Sequence, residues 1–101
     1  MKISSANGVI DLRSLSEAKD WCIQNNRSIC SDAIQNAGLD EKTQLNAIAG
    51  IYEPARCEAI KNYITACRNE YLRCKALILA ATTNDEADSA TFIAPPVSEN
   101  L

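Results

Sequence analysis

The chain has 101 residues, enough for one domain and too few for a second independent core. Its 13 acidic and 10 basic side chains give a net charge of −3, which argues against direct binding to a nucleic-acid backbone. The absence of histidine excludes Ser-His-Asp and Cys-His catalytic groups and removes the commonest nitrogen ligand of zinc. We therefore expect neither an enzyme nor a protein that holds a metal or another cofactor.

The composition favours a mainly helical, cytoplasmic protein. Three glycines and three prolines leave long stretches free of helix breakers. The longest apolar run, residues 76–81, is far shorter than the roughly 20 residues that span a bilayer. The five cysteines fit no small disulfide framework, so we expect reduced thiols that pack as small hydrophobic side chains.

The amino-terminal part predicts an extended segment or hairpin followed by a helix. Asn7-Gly8 separates two short apolar stretches and predicts the turn of a β-hairpin within the first 12 residues. Ser14 and Glu17 then form a capping box, which predicts a first helix over residues 14–37.

Two features of this first helix bear on its packing. Its polar stretch, residues 24–28, interrupts the apolar face and is compatible with one bent helix or with two shorter ones. Its tryptophan, Trp21, falls among the apolar positions and is expected in the core.

Two further helices and a tail complete the chain. Asp40 predicts the start of a second helix over residues 40–52, and Pro54 suits the first turn of a third helix over residues 54–82. Residues 83–101 form a polar tail, for which disorder and docking of its few apolar side chains are both open.

The third helix carries an unbroken heptad seam, and residues 1–82 are predicted to form a small three-helix domain around it. Apolar side chains recur at alternating steps of three and four residues: Cys57, Ile60, Ile64, Cys67, Tyr71, Cys74, Ile78 and Ala81. Such a stripe packs against another helix. The partner is either the first helix of the same chain or a helix of another molecule, in which case the protein is an oligomer with coiled-coil contacts.

Side chains beside this seam predict a protein-binding surface. The candidates are Lys61, Tyr63, Arg68, Leu72, Lys75 and Leu79. The three basic residues would attract a partner that is acidic at the contact, and the other three would supply apolar contact. The chain is thus predicted to be a non-catalytic protein–protein interaction module.

The cysteine spacing suggests an alternative function. Nine residues separate Cys57 from Cys67, and seven separate Cys22 from Cys30. This pattern resembles the twin Cys-x9-Cys helical hairpins of the mitochondrial intermembrane space, although the first spacing differs and Cys74 is left over. The resemblance implies a redox-sensitive hairpin stapled by two disulfides, Cys22 with Cys67 and Cys30 with Cys57.

The carboxyl-terminal quarter carries a second resemblance. The run from Arg73 to Thr83 is a helix that leads into a Thr-rich, acidic break and a tail with prolines near its end. It resembles the carboxyl-terminal ends of small bacteriophage tail-assembly and accessory proteins. This resemblance implies a phage or prophage protein that binds and inhibits a host protein or assists particle assembly.

Overall fold

The computed structural model describes residues 2–5, 8–99 and 101, with side chains among them from residue 10 onward. The described chain is mainly helical, as predicted, with a hairpin at its amino end. Its elements are, in order, β1 (Lys2–Ser5), β2 (Gly8–Asp11), α1 (Leu15–Asn36), α2 (Glu41–Ile48), α3 (Pro54–Ala80) and α4 (Asn84–Ser89).

The two strands form an antiparallel hairpin, with Ile3 opposite Ile10 and Ser5 opposite Gly8. Gly8 therefore belongs to β2 and not to the turn, and the other residue of the predicted turn, Asn7, lies outside the described residues. The backbone of the two strands, as far as it is described, lies away from all of the helices. Its link to the rest of the molecule is a set of polar contacts at its carboxyl end, described below.

Local capping fixes both ends of α1. Ser14 Oγ accepts a hydrogen bond from the Glu17 N–H (3.1 Å), and the Glu17 carboxylate accepts one from the Ser14 N–H (3.3 Å), which completes the predicted capping box. The helix then runs without a break through the polar stretch. At its carboxyl end Gly38 adopts φ +82°, and the Leu39 N–H donates to the Ile34 carbonyl, so the chain leaves the helix in a Schellman turn.

Similar signals separate α2 from α3. Asp40 accepts a hydrogen bond from the Thr43 N–H at 2.8 Å and begins α2. Gly50, at φ +72°, ends that helix. Its left-handed backbone lets the Gly50 and Ile51 N–H groups donate to the last helical carbonyls, those of Ala47 and Asn46. Pro54 then occupies the first turn of α3, where its missing N–H costs no helical hydrogen bond.

The heptad seam of α3 is covered from within the chain. Its buried members are Cys57, Ile60, Cys67, Cys74, Ile78 and Ala81, and Ile64 and Tyr71 are half-buried. The covering helix is α1, which runs antiparallel to α3, since Lys19 contacts the carbonyl of Leu79 and Cys30 contacts that of Cys67. The small side chains of the seam allow the two helices to approach closely.

The tail is ordered against the helix pair. After α4, Phe92 is 6% exposed and packs in the same core cluster as Ile60 and Cys67. The backbone beside it is held by α3, because Arg73 donates to the Thr91 carbonyl at 3.2 Å and the Ile93 N–H donates to Glu70 at 2.8 Å. Of the two alternatives open for the tail, the structure shows docking on the protein itself.

Beyond Ile93, the tail continues antiparallel to α3. Pro95 and Pro96 lie over Ala66 and form one wall of two open grooves between the tail and the helix, about 580 and 740 Å³ in volume. Val97 follows and is 58% exposed.

The resulting molecule is an elongated rod. Its principal extents are 58 × 24 × 19 Å, and its radius of gyration is 17.4 Å, against about 13 Å for a compact domain of this length. Its accessible surface is 6686 Å², whereas a compact monomer of this mass exposes about 5,600 Å².

A candidate protein-binding surface

The structure exposes most of the residues predicted to bind a partner. Leu72 and Leu79 are 48% and 56% exposed on the side of α3 that faces away from α1. Lys61 and Arg68 are exposed as well, and Lys75 is half-buried.

Tyr63 is the exception and corrects the prediction. It is 6% exposed and packs in the core with Phe92, because the docked tail covers the side of α3 on which it lies. Burial and the neighbouring Cys67 raise the pKa of its hydroxyl above the ordinary value. The isolated chain therefore does not offer Tyr63 as an exposed contact.

The exposed leucines belong to a second seam on α3, here called the outer seam and defined as Leu72, Ala76 and Leu79. Their spacing of four and three residues places them in one row on the helix surface. Ala76 is exposed between the two leucines, which leaves a shallow depression flanked by two large side chains. Towards the amino end the same row becomes polar at Asn69 and Thr65, so the apolar part spans about two turns.

Basic side chains border the outer seam on one side, and we call Lys19, Arg27, Arg68 and Lys75 the basic edge. Arg68 and Lys75 follow one another seven residues apart along α3.

α1 supplies the other two members of this edge. Lys19 Nζ donates to the Leu79 carbonyl at 2.8 Å, which places its charge at the carboxyl end of α3. The Arg27 guanidinium lies 5.8 Å from the ring centroid of Tyr71 and donates to its hydroxyl at 3.3 Å. Tyr71 is one turn from both Arg68 and Lys75, so Arg27 lies close to these two residues of α3. Both α1 and α3 therefore contribute positive charge to this border of the outer seam.

On the other side of the outer seam, Arg73 is held in an ion pair. Its Nε lies 2.6 Å from Glu70 Oε1, and a second contact of 2.8 Å joins Nη2 to Oε2. The Arg73 guanidinium and the Ile93 N–H lower the pKa of Glu70 to about 2. This pair fastens the tail, so its charge is satisfied within the molecule.

Further large apolar side chains are exposed at the end of the rod formed by α2. Leu45 and Ile48 lie on one face of that helix, 58% and 71% exposed, and Ile51 follows at 68%. The next residue, Tyr52, stacks beneath the Arg56 guanidinium, which lies 4.0 Å from the ring centroid. This cluster has no counterpart among the predicted contact residues.

Trp21 corrects another prediction, since it is 59% exposed and not in the core. The buried face of α1 is formed by smaller side chains, Ala18, Cys22 and Asn26. At the close approach of α1 to α4 and α3 there is room for these residues but not for an indole, so the tryptophan faces outward.

A polar junction that sequence reasoning missed joins the hairpin, α1 and α4. Arg13 bridges two carboxylates, with Nη2 2.8 Å from Asp11 Oδ2 and 2.7 Å from Asp88 Oδ2. Asn84 also donates to Asp11, at 3.1 Å. Hydrogen bonds from Arg13 hold the pKa of Asp11 well below its usual range, and the two carboxylates raise the pKa of Arg13. No local spacing signals this junction, because Arg13 and Asp88 are distant in sequence.

Asn26 forms a second internal polar contact. It is 4% exposed, and its side-chain N–H groups donate to the carbonyls of Cys22 (2.8 Å) and Ala90 (3.2 Å). It therefore ties α1 to the start of the tail. Its Oδ1 atom is buried without a partner among the described residues, so this contact leaves one buried acceptor without a hydrogen bond.

Neither predicted disulfide is formed, and all five thiols are free. Cys67 has Cys30 beside it and not Cys22, with the Cys30 thiol 3.5 Å from the Cys67 carbonyl oxygen. Cys22 packs instead with Ile78. The actual partner of Cys67 is thus eight residues further along α1 than predicted, a shift of roughly 12 Å.

Four of the thiols also lie in surroundings that favour their neutral form. Burial, together with the nearby Asp88 carboxylate, raises the pKa of Cys22 to about 11. Burial likewise raises the pKa values of Cys30, Cys67 and Cys74. Because the thiolate is the reactive species, we expect these four positions to oxidise slowly.

The described part of the chain holds neither a cluster of metal ligands nor a membrane-spanning helix. No three cysteine, aspartate or glutamate side chains converge there to hold a metal ion. Every helix between residues 15 and 89 is too short or too polar to cross a membrane. Comparison with protein-family models, curated proteins and solved structures finds no match to the chain.

Proposed function

We propose that this chain is a non-catalytic protein–protein interaction module. The observation that supports the proposal is that the buried apolar side chains are mostly small, whereas most of the large ones are exposed to solvent. Nine of the fourteen buried apolar side chains among the described residues are alanine or cysteine, including Ala18, Cys22, Cys67, Cys74 and Ala87. Most of the large aliphatic side chains and the tryptophan are instead exposed.

The exposed set is large for a chain of this length. It comprises Ile10, Leu12, Trp21, Ile29, Leu45, Ile48, Ile51, Leu72, Leu77, Leu79, Ile93 and Val97. Single exposed apolar residues are common on proteins, but rows such as the outer seam and the α2 cluster mark sites of association. The elongated shape supports the proposal, because a rod of 58 Å presents separate contact surfaces along its length.

The resemblance to phage accessory proteins extends the proposal to two uses. Binding to a host enzyme would inhibit it, and binding to a virion component would assist assembly. The partner's identity distinguishes these uses, since both need the same kind of surface.

Two matched surface variants test the proposal in cells of the native host. Leu72→Gln with Leu79→Gln alters the outer seam, and Leu45→Gln with Ile48→Gln alters the α2 cluster to a similar extent. We expect the wild-type chain to retain one protein in stoichiometric amounts and one of the variants to lose it while its circular dichroism and melting temperature stay unchanged. Retention by both variants, or no stoichiometric partner, would contradict the proposal.

A further inference from the structure

We propose that the outer seam of α3 binds one amphipathic helix whose apolar stripe is bordered by acidic side chains. This inference rests on the proposed function and specifies the surface and the kind of partner. It is drawn from the shape of the seam, the charge of its borders and the mismatch of those borders with a second copy of the chain.

The shape of the seam favours a helical partner. Leu72, Ala76 and Leu79 repeat at four and three residues, the spacing at which side chains of a second helix insert between those of the first. Ala76 and the exposed Ala80 provide small positions beside the leucines, where a large side chain of the partner fits. An extended peptide has a period of two residues and would not match this row.

The charge around the seam favours an acidic partner. α3 contains five basic and two acidic residues, a net charge of +3, within a chain whose total is −3. One of the two acids, Glu70, is already paired with Arg73. The other, Glu58, lies two heptads before Leu72 and so beyond the apolar part of the seam. The basic edge is thus left without an acidic neighbour on α3 next to the leucines.

The same charges disfavour a second copy as the occupant. In an antiparallel pairing through the outer seam, Arg68 and Lys75 of one copy would face the same basic residues of the other. In a parallel pairing Arg68 would face Arg73, and Lys75 would face the uncharged Ala80, so neither would gain an acidic neighbour. Like charges at such positions destabilise a helix pair, whereas glutamates from a different helix would be attracted to them.

Synthetic helices test this inference without knowledge of the native partner. One peptide of about three heptads carries leucine along its stripe and glutamate at both borders, and its matched control carries lysine at the borders. We expect the glutamate peptide to bind the full chain and the lysine peptide to bind at least about tenfold more weakly, as measured by fluorescence anisotropy.

Variants of the chain locate the contact. Leu79→Glu should abolish binding of the glutamate peptide, while Leu45→Glu, at an equally exposed leucine of α2, should leave it unchanged. Arg68→Glu with Lys75→Glu should reverse the preference in favour of the lysine peptide. The inference would be overturned if the Arg68→Glu, Lys75→Glu variant still preferred the glutamate peptide. It would also be overturned if Leu45→Glu lost binding to the same extent as Leu79→Glu.

Two further outcomes separate this inference from the proposed function. Failure of both peptides to bind, together with capture of a native partner that depends on Leu45 and Ile48, would place the contact on α2 and leave the interaction module intact. Sedimentation that shows a dimer of the wild-type chain and a monomer of Leu79→Glu would assign the seam to a second copy and overturn the inference.

Discussion

The inner and outer faces of α3 use apolar side chains in opposite ways. The inner face carries Cys67, Cys74 and Ile78, all fully buried, and its small members let α1 approach closely. The outer face carries Leu72 and Leu79, which are larger than the cysteines and about half exposed. Burying a leucine stabilises a fold by about 2 kcal/mol, so the stability of this chain draws little on its outer leucines. The fold and the surface available to a partner are therefore specified by different residues of one helix.

The largest expected effect comes from the tail that closes one side of the inner face. Phe92→Ala should lower the free energy of unfolding by about 4 kcal/mol, because it empties a buried aromatic site in the core. Ile93→Ala, at a neighbouring position that is 70% exposed, should change it by less than about 0.5 kcal/mol. Urea denaturation measures both. A Phe92→Ala variant as stable as the wild type would show that the tail does not contribute to the core.

A direct comparison of the two faces uses adjacent residues of α3. Ile78→Ala should cost about 3 kcal/mol, since Ile78 is fully buried against α1 and α4. Leu79→Ala should cost less than about 0.5 kcal/mol, because more than half of its side chain is in solvent. The same denaturation experiment applies. Similar losses at the two positions would mean that the outer seam is also part of the folded core.

The next prediction concerns the polar junction around Arg13, which lies on neither face of α3. Arg13→Gln removes the cation between Asp11 and Asp88 and leaves two carboxylates close together, so the melting temperature should fall by on the order of 5 °C. Lys61→Gln, at an exposed position, is the control and should leave the melting temperature unchanged. Equal melting temperatures for the two variants would show that the junction does not hold the hairpin to α4.

The Glu70–Arg73 pair, at the border of the two faces, predicts the response to acid. The pKa of Glu70 is lowered from an ordinary 4.5 to about 2, so its contribution to stability is complete above pH 4.5 and is lost as the pH falls towards 2. The melting temperature of the wild type should therefore exceed that of Glu70→Gln at neutral pH, and the difference should close over this range. A difference that stays constant down to pH 2 would assign the effect to packing and not to charge.

The smallest expected effect concerns the thiols, none of which belongs to the outer seam. A thiol reagent should react slowly with the native protein and with all five cysteines once the chain is unfolded without reductant. Fewer than five reactive thiols in the unfolded chain would support the alternative redox function. Burial of the native thiols is the physical reason for the slow reaction.

Much of the fold follows from local signals in the sequence. Capping residues such as Ser14, Asp40 and Pro54 mark helix starts, and Gly38 and Gly50 mark ends, because each acts through its own backbone or that of near neighbours. The heptad seam of α3 identifies the buried side of the long helix for the same reason.

The features that sequence reasoning missed depend on contacts between distant segments. A seam rich in alanine and cysteine matches α1 in several registers, so the pairing of Cys30 with Cys67 had no sequence signal. The burial of Tyr63 depends on where the tail docks, and the exposure of Trp21 on how closely α4 approaches α1. Of the residues in the proposed surface, the leucines and basic residues of α3 were identified from the sequence, whereas Ala76 and the contributions of α1 were not; binding by any of them stays a prediction.

The two prolines of the docked tail affect how this chain behaves at high concentration. An extended segment on a protein surface presents a free row of N–H and carbonyl groups to which a strand of another molecule can add. Pro95 and Pro96 remove two consecutive N–H donors from that row, where the tail passes over Ala66. We therefore expect the carboxyl-terminal segment to resist the addition of a strand from another molecule, so that a partner would have to bind through side-chain contacts.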